Sequence, residues 1–518
     1  MALKDLCLKQ NEEVISVKGE SLSIEEVVSV ARYGALVALS PEGTGNVLKA
    51  RHLVDRLVEE KNTVYGITTG FGKFSNVVID QKETEKLQEN LIISHAVGVG
   101  DPIPEEVVRA AMLLRINTLA KGYSGVRLEV VETLINMLNS RVHPVIPEKG
   151  SLGASGDLAP LAHMVLVMIG RGKAYYQGQL LPGGEAMEKA GIPFLRLKAK
   201  EGLALINGTQ IMTAYGALAV YDALVLARSA DIIAAMTCEA QEAIISAFDP
   251  KIQMVRPHPG QVQVAANMVR LLENSENIKY AKHGRVQDAY TLRCIPQVHG
   301  ATRDAIDYAR KVIETEINSV TDNPIIFPDH EEVISGGNFH GQPVALAMDF
   351  LGIAISELAN ISERRIERLV NPALSGLPAF LVNNGGLNSG FMIYQYAAAS
   401  LVSENKVLAH PASVDSIPSS ANQEDHVSMG AIGARKAREI IKNVRNVLAI
   451  ESICAAQGMD LRGRKPSKGT GAALNAIRKA ISMWTSDRET GDDIDKAAGL
   501  IANNLIVEEV KKVVLDFL

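Results

Sequence analysis

Residues 209–245, TQIMTAYGALAVYDALVLARSADIIAAMTCEAQEAII, form the longest helical pattern in this chain of 518 residues. The stretch is rich in Ala, Ile and Leu and carries few charges, which is typical of a helix buried on several sides. Because further helical patterns follow it, we predict a mainly α fold with a long helical bundle over residues 201–518. These further patterns lie at 301–318, 344–370, 392–410, 426–457 and 471–486.

The chain before residue 200 has shorter patterns of mixed type. Helical apolar faces run through 107–116, which Gly122 ends, and through 130–138. Strand-like alternation is confined to short runs such as 13–17 and 175–181. We predict a smaller mixed N-terminal domain over residues 1–200, which a brief charged segment separates from the bundle.

Composition excludes several classes of protein. Hydrophobic residues make up 47% of the chain and charged residues 22%, as in ordinary globular proteins. The net charge of −6 argues against a broad surface for nucleic acid. The four cysteines, Cys7, Cys238, Cys294 and Cys454, are far apart and form no CxxC pair. This spacing indicates a reducing compartment rather than a zinc site, so we expect a cytoplasmic protein without a metal.

Two charge-poor stretches, 202–221 and 369–403, are long enough to raise the question of a membrane span. Asn and Gly residues interrupt both, and residues 1–20 carry repeated charges where a signal peptide would have an apolar core. We therefore expect no membrane contact. Burial of these stretches in a core or between subunits is the favoured interpretation, and a large monomeric bundle is the alternative.

The segment GSLGASGDLAPLAH, at residues 150–163, carries the most specific chemistry in the sequence. Within it, the amide nitrogen of Gly156 can attack the carbonyl carbon of Ala154 and close a five-membered ring. Loss of water from that ring, and of the Ser155 hydroxyl, leaves an exocyclic methylene, an electrophile that no standard side chain offers. The tripeptide alone is also typical of an ordinary Gly/Ser turn that leads into a helix.

The residues around the tripeptide resemble the prosthetic-group segment of the aromatic amino-acid ammonia-lyases, which carry 4-methylideneimidazole-5-one (MIO). The resemblance implies that the tripeptide forms MIO autocatalytically, with no metal or dissociable cofactor. It also implies a helical bundle of the aspartase/fumarase-like type and a homotetramer whose active sites are shared between subunits. We further predict that Asp157 caps a helix through Leu158, Leu161 and His163, which places positive potential near the ring.

The resemblance covers most of the chain and implies roles for scattered residues. Tyr65, in the Gly-rich loop at 64–72, matches the catalytic base, and Asn207 matches the residue that touches both ring and substrate. Arg293 matches the group that binds the substrate carboxylate, for which its bidentate fork is suited. Taken singly, Asn207 is typical of a helix cap and Arg293 of a surface group. The further residues expected to line the site or cover the ring are Gln287, Tyr290 and Phe339.

Two short motifs bear on the substrate. Ser94 and His95 stand where phenylalanine-selective members of the family typically have Phe-Leu and tyrosine-selective members His-Leu. Glu424 stands where phenylalanine-type members usually have Gln. These three side chains would make a polar pocket for an imidazole, and a site built to hydrogen-bond a polar group rejects analogues that lack it. We expect elimination of ammonia from L-histidine, with trans-urocanate as the other product.

Two alternatives stay open at this point. A lyase or aminomutase of the same family could act on tyrosine or phenylalanine, and a catalytically silent scaffold could keep the fold without maturing the ring. The division of base roles among Tyr65, Tyr290 and Glu424 is also open. Other catalytic templates are absent, since the sequence has no GxGxxG, P-loop or HExxH motif and 153–157 lacks the last Gly of a nucleophile elbow.

Overall fold

The structure is a computed structural model that describes residues 14–60, 62–64, 66–67, 69–70, 72, 83–281 and 284–517. Across these residues it contains twenty-one α-helices and nine short β-strands, so the predicted mainly α fold is confirmed. The helices are α1 (Ile24–Tyr33), α2 (Pro41–Glu59), α3 (Thr84–His95), α4 (Glu105–Ala120), α5 (Leu128–Asn139), α6 (Leu158–Met168), α7 (Gly183–Lys189), α8 (Glu201–Ile206), α9 (Gln210–Ala240), α10 (Pro250–Met254), α11 (Pro259–Leu271), α12 (Glu276–Lys279), α13 (Tyr290–Arg293), α14 (Ile295–Glu316), α15 (Gln342–Val370), α16 (Pro372–Ser375), α17 (Met392–Leu408), α18 (Gly430–Arg462), α19 (Lys468–Ala480), α20 (Gly491–Ala502) and α21 (Leu505–Lys511).

The strands form four small sheets, one of three strands and three of two. The parallel pair β1–β2 is joined through α1, and the other pairings are antiparallel. The strands are β1 (Val14–Val17), β2 (Leu36–Leu39), β3 (Val99–Pro102), β4 (His143–Pro144), β5 (Pro147–Lys149), β6 (Lys173–Tyr176), β7 (Gln179–Pro182), β8 (Ile325–Phe327) and β9 (Glu332–Ile334).

The chain folds into two compact units, each built from three separate segments. Residue 200, the predicted boundary between an N-terminal domain and the bundle, lies inside the first unit, and that boundary stays a prediction. The first unit comprises Met1–Tyr221, Arg310–Asp349 and Pro411–Arg435, and the second comprises Asp222–Ala309, Phe350–His410 and Lys436–Leu518.

The first unit is organised around α4, in which residues 107–120 are all buried. Helices α1 and α5 pack against it. Helix α1 starts at a capping box, in which Ser23 accepts from the Glu26 amide while the Glu26 carboxylate accepts from the Ser23 amide. The predicted apolar face at 107–116 is therefore one side of a helix that is buried all round.

The strand predicted at 175–181 is wrong, because that run is a hairpin. Its two strands, β6 and β7, pair with Tyr176 opposite Gln179, which leaves a loop of two residues. Those residues, Gln177 and Gly178, have φ of +50° and +77°, as a tight hairpin turn requires. The alternating pattern concealed the turn because Gln177 is not a typical turn residue.

The second unit contains segments of four long helices that meet through buried charges. Arg365 of α15 forms a bidentate ion pair with Glu451 of α18, with N–O distances of 2.5 and 2.8 Å. On α9, Asp231 accepts from the ring of His299 of α14 at 2.8 Å. All four side chains are at most 1% exposed. Long helices in this unit are thus joined by paired charges as well as by apolar packing.

The long helices match the predicted runs, with differences at their ends. Helix α9 ends at Ala240 instead of residue 245, because Glu242 adopts φ of +50° and the Ala243 amide bonds back to the Cys238 carbonyl. Helix α14 starts at Ile295, six residues before the prediction. It runs through Gly300, where a Cβ would lie 2.4 Å from the backbone nitrogen of Gln261.

Within the described residues, one helix, α15, is long and apolar enough to cross a membrane by length and composition. Inside the protein, 67% of its apolar window is buried. The core helix of a globular protein passes the same test, so this helix is weak evidence for a span.

Candidate active site

The loop that contains the predicted ring-forming tripeptide, residues 150–157, joins β5 to α6 and contacts the segment before α18. The Ser428 hydroxyl donates to the Gly153 carbonyl at 2.8 Å. Ala154 is 6% exposed and packs in a small apolar cluster with Met429. Helix α18 starts at Gly430 and not at the predicted residue 426, because Met429, directly before it, adopts φ of +55°.

Two backbones meet at Gly156 and Gly208. The two residues form an isolated parallel bridge, and the Asp157 amide donates to the Gly208 carbonyl at 2.7 Å. Gly156 has φ of +72°, and a Cβ built on it would lie 2.2 Å from the Gly208 carbonyl oxygen. No other residue type fits at this position without moving one of the backbones.

Asn207 lies over the tripeptide. It follows the last residue of α8 and is 1% exposed. Its side-chain nitrogen donates to the Ser155 carbonyl at 2.9 Å and to the Ser155 hydroxyl at 2.7 Å. Its side-chain oxygen has no hydrogen-bond partner among the described residues. The structure thus brings Asn207 and Ser155 together and leaves one buried amide oxygen available to a ligand.

Asp157 is the N-cap residue of α6, but its side chain does not cap that helix, so this prediction is wrong. The carboxylate accepts instead from the Ser151 hydroxyl at 2.8 Å and from the Met212 amide, in the first turn of α9, at 2.9 Å. Burial raises the pKa of Asp157 to about 6, although these hydrogen bonds act in the opposite direction. The predicted helix through Leu158 and His163 is present as α6.

A cavity of about 200 Å³ opens against the tripeptide. The predicted specificity residues Ser94, His95 and Glu424 lie on its wall, with the tripeptide on the same wall. The residues that line it are Ser94, His95, Val97, Gly150, Ser151, Leu152, Ala154, Ser155, Gly156, Leu158, Ala159 and Glu424. The structure therefore places the tripeptide 154–156 and three polar side chains around one small space.

The polar side of this cavity is ordered by local hydrogen bonds. The Ser94 hydroxyl lies 3.0 Å from Nδ1 of His95 and 3.1 Å from the Leu91 carbonyl. Glu424 is half-buried and accepts from the Ser419 hydroxyl at 3.1 Å. Burial lowers the pKa of His95 below its ordinary value, and the negative charge of Glu424 acts in the opposite direction. The lowered pKa favours the neutral imidazole, which can both donate and accept a hydrogen bond.

The remaining predicted residues that the structure describes are not among those that line this cavity. Tyr65 lies outside the described residues. Phe339 is half-buried in a turn after β9 and is not one of the lining residues. Gln287, Tyr290 and Arg293 belong to the second unit. There the Arg293 guanidinium lies 4.5 Å from the centroid of the Tyr290 ring, and Tyr290 is 70% exposed.

Sequence reasoning missed two residues that support the loop, Ser428 and Met212. Ser428 is separated from its partner Gly153 by 275 residues, and Met212 donates its backbone amide to Asp157. Neither contact leaves a local signal in the sequence. Across the described part of the chain, no group of three or more His, Cys, Asp or Glu side chains is arranged to hold a metal ion.

A family model described as aromatic amino acid lyase matches residues 22–479. The chain belongs to this family. It is 63% identical over 501 residues to a protein named histidine ammonia-lyase from Alkaliphilus metalliredigens, covering 96% of this chain and 99% of that protein. Membership of this lyase family makes the protein a carbon–nitrogen lyase.

Solved structures in the family share the fold. Histidine ammonia-lyase from Trypanosoma cruzi is 44% identical with a TM-score of 0.91, over 97% of this chain and 96% of that one. Tyrosine aminomutase from Streptomyces globisporus is 40% identical with the same TM-score, over 96% and 98% of the two chains. Because the TM-scores are equal, the fold alone does not select between these two activities.

Proposed function

We propose that this lyase removes ammonia from L-histidine to give trans-urocanate, the entry step of histidine degradation. The observation that carries the proposal is the position of Ser94, His95 and Glu424 on the same cavity wall as the tripeptide 154–156. A polar pocket suits an imidazole better than a phenyl ring, because buried polar groups left unpaired cost binding free energy. The high identity to proteins named histidine ammonia-lyase supports the same substrate.

The tripeptide and its surroundings fit the MIO group that the family implies. At Gly156 the atoms nearest to a built Cβ belong to the backbone of Gly208, so the glycine that ring closure needs is also the residue type that fits there. Asn207 holds the Ser155 carbonyl and hydroxyl, and its orphan side-chain oxygen faces no protein donor among the described residues. Once formed from these three residues, the group supplies an electrophile for the amine of the substrate.

The other residues bind the substrate and move its proton. Neutral His95, with Ser94 and Glu424, would orient the imidazole through hydrogen bonds. Arg293 would bind the carboxylate, and Tyr65 would take the β-proton, for which positive potential must favour its phenolate form. Gln287, Tyr290 and Phe339 would complete the walls, and Tyr290 or Glu424 would share the base role.

We further propose that the protein is a cytoplasmic homotetramer with active sites shared between subunits. Exposed apolar side chains on α15, at Leu346, Phe350 and Ile353, support burial between subunits. We propose no metal, no dissociable cofactor, and no nucleic-acid or membrane partner.

The substrate is tested by steady-state kinetics on L-histidine, L-tyrosine and L-phenylalanine, with product absorbance as the readout. We expect the highest kcat/KM for L-histidine. Glu424→Gln should lower that preference, since a carboxylate that accepts from the imidazole is replaced by an amide. Faster turnover of tyrosine or phenylalanine, or a β-amino acid as product, would overturn the assignment.

The prosthetic group is tested by mass spectrometry of the peptide that contains residues 154–156. Wild-type protein should lack the mass of two waters, and Ser155→Ala should have the unmodified mass, no turnover and a normal fold by circular dichroism. Ser151→Ala, in the same loop, keeps the reacting hydroxyl and should keep the mass deficit. An unmodified wild-type peptide would favour a silent scaffold.

A further inference from the structure

The short helix α8 carries Asn207 to the tripeptide and is fixed at both ends by buried cations. Before its start, Lys200 pairs with Asp322 at 2.7 Å, and neither side chain is exposed. At its C-terminal end, the guanidinium of Arg115 of α4 donates to the carbonyls of Ala204 at 3.0 Å and Asn207 at 3.1 Å. A cation at the C-terminal end of a helix is stabilised by the free carbonyls there.

Arg115 is itself held in one orientation. It is fully buried, and its second terminal nitrogen donates to the side-chain oxygen of Gln210. The Gln210 amide nitrogen in turn donates to the hydroxyls of Thr118 at 3.0 Å and Thr321 at 2.9 Å. Burial lowers the pKa of Arg115 to about 10, so the guanidinium keeps its charge at neutral pH. Both terminal nitrogens of Arg115 thus have partners, whereas its Nε has none among the described residues.

The carbonyls of residues 207 and 208 then face two different partners. Arg115 holds the Asn207 carbonyl, while the Gly208 carbonyl accepts from the amide of Asp157. The Asn207 side chain reaches Ser155 from the same short stretch. A shift of the Asn207 backbone would therefore move the side chain away from Ser155 and weaken the contact between Gly156 and Gly208.

We propose that Arg115 is a positioning residue, which fixes the backbone of Asn207 so that the Asn207 amide faces the prosthetic group and the substrate. The proposal rests on the proposed function. Arg115 touches neither substrate nor the reacting atoms and acts only through Asn207. Lysine at this position would keep the charge but lose the planar fork that spans two carbonyls and Gln210.

The test compares Arg115→Lys with Arg109→Lys. Arg109 is the matched control, because it lies on the same helix, is 4% exposed and donates to the carbonyls of Val30 and Leu138, away from α8. We expect Arg115→Lys to lower kcat roughly 10- to 100-fold, as for a displaced catalytic group, with KM for L-histidine little changed. The fraction of peptide 154–156 with the two-water deficit should also fall. Arg109→Lys should change thermal stability but should leave both kcat and the fraction of peptide with the two-water deficit unchanged.

A double-mutant cycle with Asn207→Ala decides whether Arg115 acts through Asn207. With Asn207 already truncated, Arg115→Lys should cause little further loss of kcat or of mass deficit. Independent, multiplicative losses, or equal effects of the Arg115 and Arg109 variants, would overturn the proposal. A wild type that carries the deficit but prefers tyrosine would overturn only the proposed substrate, and the variants would be compared on tyrosine.

Discussion

At the scale of single residues, a buried carboxyl group lies directly after the tripeptide 154–156. Asp157 is fully buried and connects the loop to the first turn of α9. A carboxylate in such a place loses hydration that its hydrogen bonds only partly replace. The net effect of burial and hydrogen bonding on Asp157 can be measured, because it makes the free energy of unfolding depend on pH.

Asp157→Asn should alter the pH dependence of unfolding. The pKa of Asp157 is about 6 in the folded protein and 3.8 unfolded, so the folded state holds a proton that the unfolded chain has released between these values. Its contribution to stability is therefore present below pH 3.8 and is lost as pH rises to about 6, a change of about 3 kcal/mol. Urea unfolding from pH 4 to 6.5 should show wild type losing stability relative to the Asn variant.

Asp231→Asn is the control for this measurement. Asp231 is equally buried, but Arg303 and His299 lower its pKa below 3.8. Because Asp231 also contacts the ring of His299, whose unfolded pKa of about 6.5 lies in the measured pH range, the control is made in a His299→Gln background, where Asp231→Asn should change stability by a nearly constant amount from pH 5 to 6.5. A constant difference for Asp157→Asn as well would contradict the raised pKa.

Gly156→Ala should prevent maturation of the tripeptide. The new methyl group would meet the Gly208 carbonyl oxygen at 2.2 Å. Gly178→Ala is the matched control, since Gly178 has a similar φ of +77° but no atom within 4 Å of a built Cβ. Gly178→Ala should lose only about 1–2 kcal/mol of folding free energy, the cost of placing an L side chain at positive φ. Peptide mass and thermal unfolding measure both effects, and equal behaviour of the two variants would exclude a steric role for Gly208.

At the scale of secondary structure, apolar periodicity was enough to locate the long helices. The end of α9 and the start of α18 could not be predicted, because they coincide with left-handed residues at Glu242 and Met429. The hairpin of β6 and β7 was missed for a similar reason, since its turn relies on a Gln with positive φ. The residue types of the site were predictable, but the contacts of Arg115 and Asp157 were not.

Arg365→Met should strongly destabilise the second unit. It removes one partner of a buried ion pair. Among the described residues, Glu451 then keeps only the hydrogen bond from the Thr237 hydroxyl, at 2.7 Å. A loss of about 3–5 kcal/mol is typical of such a change. Denaturant unfolding measures it, and Arg365→Met with Glu451→Leu should recover part of the loss.

Lys442→Met provides the comparison on the surface of α18. Lys442 pairs with Glu439 at 2.7 Å, and both side chains are largely exposed, at 44% and 53%. Solvent screening limits such a pair to about 1 kcal/mol or less. A similar loss of folding free energy in Lys442→Met and Arg365→Met would show that burial of the Arg365–Glu451 pair adds nothing to its effect on stability.

At the scale of the whole molecule, the expected active-site residues are distributed over both units and one undescribed position. Ser155 and Glu424 belong to the first unit, Arg293 to the second, and Tyr65 lies outside the described residues. Sequence reasoning could not determine how copies of the chain combine, because assembly depends on complementary surfaces rather than on local patterns.

Mixing two inactive variants tests the shared site. Tyr65→Phe should lower kcat by about 10²–10⁴ as a lost general base, and Arg293→Ala should lose the carboxylate contact. If the two residues come from different subunits, dissociation and reassembly of the mixture should restore part of the activity. Each variant treated alone is the control and should regain none. Light scattering that shows an active monomer would refute the tetramer.

The contact between Ser428 and Gly153 can form only late in the synthesis of the chain. The two residues are 275 positions apart, and at about 5–20 residues per second a ribosome needs roughly 14–55 s to cover that distance. Until then, the loop on a growing chain lacks this support. We therefore expect the proposed ring to close late, after residue 428 has left the ribosome, so that the tripeptide of a growing chain is still unmodified.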